Sequence, residues 1–287
     1  MKLGAYTACL HDKPIADALK TLRELGLDSA EINSGGFLPP VHLPVDDIRA
    51  SKDAREEYLG LFSSAGVTLT ALNCNGNPLD PNPEVGPLHA KDVRDSIELA
   101  ALLGVKRVVT MSGLPGTDPG GRYPSWTVEP WHSVYLDARD YQWNEVGIPF
   151  WKDIQARAAD ADVKVCIEMH PHNLVYNAAA KDTRINEAAK LNGVLDDRFG
   201  RVAPDDPDAL SLGGSYTLSR WPESSSWDFV AVGRGHDTAF WTEFLRALSE
   251  IDPDMAVNIE HEDQELDQLE GLRSAAETLK SAASQLG

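Results

Sequence analysis

Short strand-like runs alternate with helix-like segments along most of this chain. The pattern predicts strands at 3–8, 29–32, 67–72, 105–111, 163–169 and 255–259, and helices at 15–25, 45–65, 89–103, 141–161, 238–251 and 266–286. The helices have apolar residues at helical spacing and several end at glycine, whereas the strands are short apolar runs. Such alternation is typical of a parallel sheet whose strands are joined by helical crossovers.

Polar side chains gather where many of the predicted strands end. They lie within 31–33, 73–75, 111–112, 168–170 and 260–262. An open doubly wound sheet and a closed (β/α)8 barrel both fit 287 residues, but barrels build their active sites from the ends of several strands at once. No G-x-G-x-x-G follows the first strand and no G-x-x-x-x-G-K-[ST] occurs, so nucleotide-binding loops have no support. We therefore predict an α/β protein with a TIM barrel, a single domain over 1–287.

The charge balance argues against polyanionic partners. The chain has 26 basic and 45 acidic residues and a formal net charge of −19, which predicts binding to neither nucleic acid nor a membrane. No apolar run approaches the roughly 18 residues of a membrane helix, and the first residues show no signal-peptide pattern. The three cysteines are widely spaced and odd in number, so reduced thiols in a cytoplasmic protein are expected.

Two strand ends carry the carboxylates best placed for chemistry. Glu168 and His170 lie two residues apart on one strand, so their side chains point to the same side. Glu260 ends the last strand, and Glu262 and Asp263 continue into the next loop. Carboxylates from separate strands can bind a hard cation such as Mn²⁺ or Mg²⁺, or divide the roles of general acid and base. As alternatives to metal binding or catalysis, Glu168 lies on a solvent-exposed rim, and Glu262 and Asp263 lie at the solvated N-terminus of a helix.

Three further segments bear on ligand binding. His236 lies in a glycine-containing turn, 233–237, where it either binds a hydroxyl or phosphate or simply precedes a helix. The loop 113–140 is long and rich in aromatic residues, which stack well on the C–H faces of sugars. A small satellite core beneath that loop is the alternative. The segment 177–235 is rich in Asp, Pro, Ser and Gly and is predicted to be irregular.

As a set, these motifs resemble the xylose isomerase-like TIM barrels known as sugar phosphate isomerases and epimerases. The resemblance covers 1–177 and continues from Lys181 to the end. It rests on LGAYT at 3–7, ALNCNGNPL at 71–79, QWNEV at 142–146, IEMHP at 167–171, KDTRI at 181–185, GRGH at 233–236 and IEHED at 259–263. A branch close to these motifs acts on 3-oxo-glycosides and includes subunits of C-glycoside deglycosidases.

The resemblance implies a divalent-metal-dependent sugar isomerase or epimerase that abstracts a proton next to a carbonyl. Its metal, commonly Mn²⁺ with Mg²⁺, Co²⁺ and Zn²⁺ as alternatives, would be bound by Glu168 and Glu260, which would also act as acid and base. Residues assigned to the sugar or glycoside substrate are His170, His236, Lys181, Arg184, Trp143 and Asn73. The resemblance is compatible with a protein that forms a homo-oligomer and with one that binds a small partner subunit.

Two of the four metal ligands usual in this family, an Asp on strand six and a His on strand seven, have no match here. Only ten residues, 171–180, separate His170 from Lys181, whereas a βα unit of such a barrel takes about 30. We therefore predict a barrel that lacks strand six and most of strand seven, through a real deletion or because the printed sequence omits residues.

Two alternative functions remain: a lyase subunit that cleaves 3-oxo-C-glycosides, and an inactive barrel that serves as a binding or scaffold protein.

Overall fold

Parallel strands alternate with helices in the computed structural model of the chain, which describes residues 1–127, 132–176 and 229–286. The strands are β1 (Lys2–Tyr6), β2 (Ser29–Asn33), β3 (Thr68–Asn73), β4 (Arg107–Met111), β5 (Lys164–Glu168) and β6 (Ala256–Ile259). The α-helices are α1 (Ile15–Glu24), α2 (Val45–Ala50), α3 (Lys52–Ala65), α4 (Gly86–Leu103), α5 (Ser133–Asp140), α6 (Ile148–Asp160), α7 (Thr238–Ile251) and α8 (Gln268–Ala283). A 3₁₀ turn follows β1 at Thr7–Leu10, and a π-helical turn, Tyr141–Gly147, joins α5 to α6.

The chain divides into two compact units. The first comprises Met1–Ala30, Ala65–Thr68 and, of the described residues, 229–286. The second comprises Glu31–Ser64 and, of the described residues, 69–127 and 132–176. None of the helices in these ranges combines the length and the hydropathy that crossing a bilayer requires.

In the first unit, β1 pairs in parallel with β6. The register runs from Lys2 opposite Ala256 to Ala5 opposite Ile259. Helices α7 and α8 pack against each other. Their apolar faces supply a core of fully buried side chains, namely Leu245, Leu272, Ala275 and Leu279.

In the second unit the strands follow the order β5-β4-β3-β2. The pairs β3–β4 and β4–β5 are parallel, and the β4–β5 register ends with Met111 opposite Glu168. Leu72 and Val108 on the sheet, Ile97 on α4 and Ile154 on α6 are buried and form its core. Because the strands are parallel, their carboxyl ends lie at the same edge of the sheet.

Two predicted helices differ from the observed ones. The helix predicted at 45–65 is interrupted at Ser51, which has extended backbone angles (φ −141°, ψ 134°) and whose hydroxyl accepts a hydrogen bond from the Ala54 N–H at 3.3 Å. Serine competes in this way for backbone donors, so it favours a helix start over a helix interior. The helix predicted at 141–161 is preceded by α5 and begins with the π-helical turn.

We expect Gly271→Ala in α8 to destabilise the protein by about 1–3 kcal/mol, because the core must shift to admit the added methyl group. A Cβ at this position would overlap the imidazole of His261, which is buried against the helix. Gly60→Ala in α3 is the matched control, since its Cβ would meet no atom within 4 Å. It is expected to stabilise the protein by roughly 0.5–1 kcal/mol. Equal denaturant midpoints for the two variants would contradict this packing.

Candidate active site

The carboxyl end of β5 brings Glu168 to the edge of the sheet in the second unit. Glu168 is the last residue of β5 and pairs in register with Met111, the last residue of β4. Asn73 ends β3 in the same way, and the next residue, Cys74, donates its N–H to the carbonyl of Val109 at 2.8 Å. Polar side chains from several strands therefore meet where barrel enzymes carry their active sites.

A carboxylate–amide pair, Glu168 and Asn75, lies at this edge. Nδ2 of Asn75 donates to Oε2 of Glu168 at 2.6 Å, which fixes the orientation of the Glu168 carboxyl group. The backbone N–H of Asn75 donates to Oδ1 of Asn73 at 3.0 Å, which fixes the position of the Asn75 amide. Oδ1 of Asn75 is buried and has no hydrogen-bond partner among the described residues.

A second carboxylate–amide pair, Glu31 and Asn73, lies on β2 and β3. Nδ2 of Asn73 donates to Oε1 of Glu31 at 2.7 Å, and both side chains are buried. The Asn73 amide thus uses its nitrogen for Glu31 and its oxygen for the backbone of Asn75. The structure gives Asn73 an orienting role, and its predicted contact with substrate stays a prediction. The sequence does not single out Glu31, whose one signal is its place in the polar segment that ends β2.

His170 follows β5, two residues after Glu168. Its Nδ1 lies 2.7 Å from the carbonyl oxygen of Pro171, which can only accept, so Nδ1 carries the proton. In the neutral ring the lone pair is then on Nε2, which can accept a hydrogen bond from a sugar hydroxyl. The predicted role of His170 in substrate binding is compatible with this geometry and stays a prediction.

Three hydrogen bonds, each donated by a backbone N–H, join the loop after β4 to the segment after β5. Gly113 donates its N–H to Oδ1 of Asn173 at 2.8 Å, and its carbonyl accepts from the N–H of Leu174 at 2.9 Å. The N–H of Val175 donates to Oγ of Ser112 at 2.8 Å. These bonds fix both loops at the edge where Glu168 lies.

Trp143, which is predicted to contact the sugar, lies on the π-helical turn. Its ring packs against a small apolar cluster whose buried members are Leu79, Leu114 and Leu174, alongside Trp126, Val146 and Phe150. The satellite core proposed as the alternative for the aromatic loop is therefore present. A contact between Trp143 and substrate stays a prediction.

The other predicted carboxylate, Glu260, belongs to the first unit. It follows β6 directly and is exposed. Burial, with a smaller contribution from the negative charge of Glu260, raises the pKa of the Cys9 thiol to about 12, so this thiol is protonated at neutral pH. His236 stacks on Phe240, with ring centroids 4.0 Å apart, just before α7.

The carboxylate of Asp263 is buried in the first unit and anchors the turn that carries His236. Oδ2 accepts hydrogen bonds from Nη1 of Arg234 at 2.6 Å and from the N–H of Ala231 at 2.8 Å, and Oδ1 accepts from the N–H of Glu265 at 3.0 Å. The alternative of a solvated helix N-terminus is therefore wrong for Asp263. Both of its oxygens are used within the protein.

The described residues do not assemble a metal centre. Within 1–127, 132–176 and 229–286, no group of three His, Cys, Asp or Glu side chains is placed to hold a metal ion. Glu168 and Glu260 belong to different units. The predicted substrate contacts Lys181 and Arg184 lie outside the described residues. The donor set in the described part of the chain thus does not fit the divalent ion that the resemblance implies.

The chain is similar in sequence to one protein family and to one bacterial protein. Residues 19–205 match a family described as "Xylose isomerase-like TIM barrel". The uncharacterized protein YfiH of Bacillus subtilis (strain 168) is 34% identical over 316 residues, an alignment that covers 99% of this chain and 100% of YfiH. Because the alignment is longer than the 287 residues of this chain, YfiH contains residues with no counterpart here.

Two solved structures share the fold at low sequence identity. A xylose isomerase-like TIM barrel protein from Mycobacterium smegmatis, solved in complex with magnesium, is 15% identical with a TM-score of 0.55, and the match covers 100% of this chain and 98% of that one. D-psicose 3-epimerase, solved in the presence of D-fructose, is 16% identical with a TM-score of 0.53, and the match covers 99% and 97% of the two chains. At these identities the likeness concerns the fold alone.

Proposed function

Because the chain belongs to the xylose isomerase-like TIM barrel family, we propose that it is a sugar isomerase or epimerase that removes a proton next to a carbonyl. The fold class is that α/β barrel, with six strands in the described residues. The family includes sugar epimerases, among them the D-psicose 3-epimerase whose fold this chain shares.

The hydrogen bond of 2.6 Å between Asn75 and Glu168 at the end of β5 supports Glu168 as the base. A general base must be ionised, oriented and accessible. The Asn75 amide orients the Glu168 carboxylate, and Glu168 is only partly buried.

The proposed chemistry follows from these groups. Glu168 takes the proton from the carbon next to the carbonyl, which leaves an enediolate and a protonated carboxyl. An isomerisation is completed when Glu168 gives this proton, or one that its carboxyl has exchanged with solvent, to the former carbonyl carbon, while the hydroxyl proton of the enediolate moves to the former carbonyl oxygen. Epimerisation requires a proton on the opposite face of the first carbon and hence a second acid, the role that the sequence predicts for Glu260.

The described residues supply two of the four metal ligands that the resemblance implies. These two predicted ligands are Glu168 and Glu260. No group of three His, Cys, Asp or Glu side chains among the described residues is placed to hold a metal ion. A hard cation such as Mn²⁺ takes six or more oxygen or nitrogen ligands, so most of its shell would be water. No step of the proposed chemistry is therefore assigned to the ion.

Accordingly, we expect the purified protein to retain well under one equivalent of Mn²⁺, Mg²⁺, Co²⁺ or Zn²⁺ after dialysis against metal-free buffer. Elemental analysis measures this directly, and Glu168→Gln dialysed in parallel shows whether any retained ion depends on this carboxylate. A stoichiometric, tightly held ion would contradict the expectation, since it would require further side chains to complete the shell.

Product analysis tests the proposed function. The protein is incubated with a panel of ketohexoses, ketopentoses and the matching aldoses, and the products are separated by chromatography. A new epimer or aldose–ketose partner, formed by the wild type and not by Glu168→Gln, supports the proposal. If no sugar of the panel is converted but one binds, the inactive barrel that serves as a binding protein becomes the better account.

A further inference from the structure

Four residues of the second unit are joined by consecutive hydrogen bonds, and we call them the polar network. The network runs from Glu31 on β2 through Asn73 on β3 and Asn75 to Glu168 on β5. Nδ2 of Asn73 donates to Oε1 of Glu31 at 2.7 Å, and Oδ1 of Asn73 accepts from the N–H of Asn75 at 3.0 Å. Nδ2 of Asn75 donates to Oε2 of Glu168 at 2.6 Å. The buried carboxyl group of Glu31 is thus connected to the proposed base.

The orientation of the Asn73 amide is determined by its two partners in the network. The backbone N–H of Asn75 can only donate, so the atom of Asn73 that faces it is the amide oxygen. The amide nitrogen of Asn73 then faces Glu31, whose carboxyl oxygen accepts. An apolar side chain at position 31 would remove this acceptor. Glu31 therefore holds Asn73 in the orientation that binds Asn75.

Asn75 is also held at its carbonyl group, by the loop after β2. The N–H of Phe37 donates to this carbonyl at 2.7 Å. A Cβ on Gly36 would overlap the same oxygen, and Gly36 has a φ of +86°, so only glycine lets the loop approach Asn75 this closely. Both backbone polar groups of Asn75 thus have fixed partners. A change at Asn73 would move the amide that orients Glu168.

The burial of Glu31 and Asn73 indicates more than a packing role. Both side chains lie in the core, and Glu31 is 9% exposed. Burying a carboxyl group costs free energy unless hydrogen bonds offset the loss of hydration, and apolar residues of similar size are often as stabilising or more so. Buried hydrogen bonds that fix a single geometry are, however, what supports the side chains of a functional site from behind.

We propose that Glu31 is a positioning residue, which acts through Asn73 and Asn75 to fix the orientation of the Glu168 carboxylate towards the substrate C–H. The catalytic part of this assignment rests on the proposed function. Glu31 takes no proton itself. Misplacing a reacting group by about 1 Å can lower a rate roughly 10²-fold. Loss of the network should therefore lower kcat and leave KM nearly unchanged, because orientation of the base acts on the chemical step.

Two substitutions of Glu31 test this role by steady-state kinetics with the converted sugar. Glu31→Leu removes the acceptor of Asn73, and kcat is expected to fall about 10- to 100-fold while KM stays within about twofold. Glu31→Gln keeps an acceptor oxygen and should retain most of the wild-type kcat. Tyr58→Phe is the control for stability alone, since it removes a buried hydrogen bond of 3.0 Å to the carbonyl of His42, elsewhere in the second unit. It should lower the unfolding midpoint and leave kcat unchanged.

A reversed pair separates orientation from packing. Asn73→Asp places a second carboxylate opposite Glu31, and because the two negative charges repel each other, kcat should fall as in Glu31→Leu. Adding Glu31→Gln supplies an amide that can donate to the introduced aspartate, whose other oxygen can still accept from the N–H of Asn75. The Glu31→Gln, Asn73→Asp double variant should therefore recover most of the kcat that Asn73→Asp loses.

The side-chain amide signal of Asn75 in proton–nitrogen NMR spectra provides a readout that needs no catalysis. Asn75→Ser identifies the signal by its disappearance. Its hydrogen bond to the Glu168 carboxylate should move the amide proton downfield, and Glu168→Gln should reduce this displacement. Glu31→Leu and Asn73→Asp are expected to reduce it as well, and the Glu31→Gln, Asn73→Asp double variant is expected to restore it.

Wild-type kcat in Glu31→Leu, or a double variant as slow as Asn73→Asp, would overturn the role of Glu31. An equal loss of kcat in Tyr58→Phe would also overturn it, because the effect would then follow stability. If the wild type converts no sugar while the Asn75 signal responds as expected, the proposed function fails and the orientation of Glu168 by Glu31 stands. If sugar is converted and the signal does not respond to Glu31→Leu, the role of Glu31 fails and the proposed function stands.

Discussion

Replacing Glu168 by Gln is expected to lower the rate of sugar conversion by about 10²- to 10⁴-fold, the usual contribution of a general acid or base. The amide preserves the size of the side chain but cannot take a proton from carbon. Because Asn75 donates to Oε2 of Glu168 at 2.6 Å, the Gln variant can still accept this hydrogen bond, so the fold is expected to persist. Initial rates at saturating sugar, with unfolding midpoints measured in parallel, test this.

Glu57→Gln is the matched control, because it makes the same chemical change on an exposed face of α3 in the second unit. Its rate should equal that of the wild type. A Glu168→Gln rate within about threefold of the wild type would exclude Glu168 as the base, since it would leave nearly all of the expected acid–base contribution in place.

Replacing Asp263 by Ala is expected to destabilise the protein by about 2–4 kcal/mol, since it removes a buried acceptor and leaves the facing donors unpaired. The Asp263 side chain is fully buried, whereas that of Arg234 is 31% exposed, so the guanidinium can recover part of its hydration. Urea unfolding at pH 7 measures the change. Glu262→Ala, an exposed neighbouring carboxylate, is the control and should stay within about 0.5 kcal/mol of the wild type.

The contribution of Asp263 should also depend on pH. Burial disfavours ionisation of this carboxyl, but hydrogen bonds from the N–H groups of Ala231 and Glu265 and from Arg234 outweigh it and hold its pKa below the usual value. A group whose pKa is lower in the folded state stabilises the protein above its unfolded pKa, near 3.9, and loses this contribution as the pH falls through its folded pKa. The stability difference between wild type and Asp263→Ala should therefore shrink at pH 3. A difference that grew on acidification would contradict the ionised, hydrogen-bonded Asp263.

The order of strands and helices could be predicted from the sequence because it depends on local periodicity. Helix α7 (Thr238–Ile251) begins and ends where the pattern predicts, since Asp237 caps its first turn by accepting from the Phe240 N–H at 2.9 Å. The break at Ser51 was not predictable from apolar spacing alone, which continues through it. It depends on one side chain that competes for a backbone donor.

The candidate site was predictable only in part. Strand-end position indicates Glu168, because the last residue of a parallel strand lies at the edge where barrel sites form. The pairing of Asn75 with Glu168 and of Asn73 with Glu31 joins residues 93 and 42 positions apart, and no local pattern encodes such contacts. The burial of Asp263 could not be predicted from its neighbours in sequence, because its partners Ala231 and Arg234 lie some thirty residues earlier.

The most direct test of the proposed proton abstraction is exchange of the substrate C–H with solvent. The wild-type protein is incubated in D₂O with each ketose of the panel, and deuterium incorporation next to the carbonyl is followed by proton NMR. We predict incorporation into at least one sugar, at a rate reduced about 10²-fold or more in Glu168→Gln and unchanged in Glu57→Gln. Exchange and product formation that are equally fast in Glu168→Gln would contradict abstraction of this proton by Glu168.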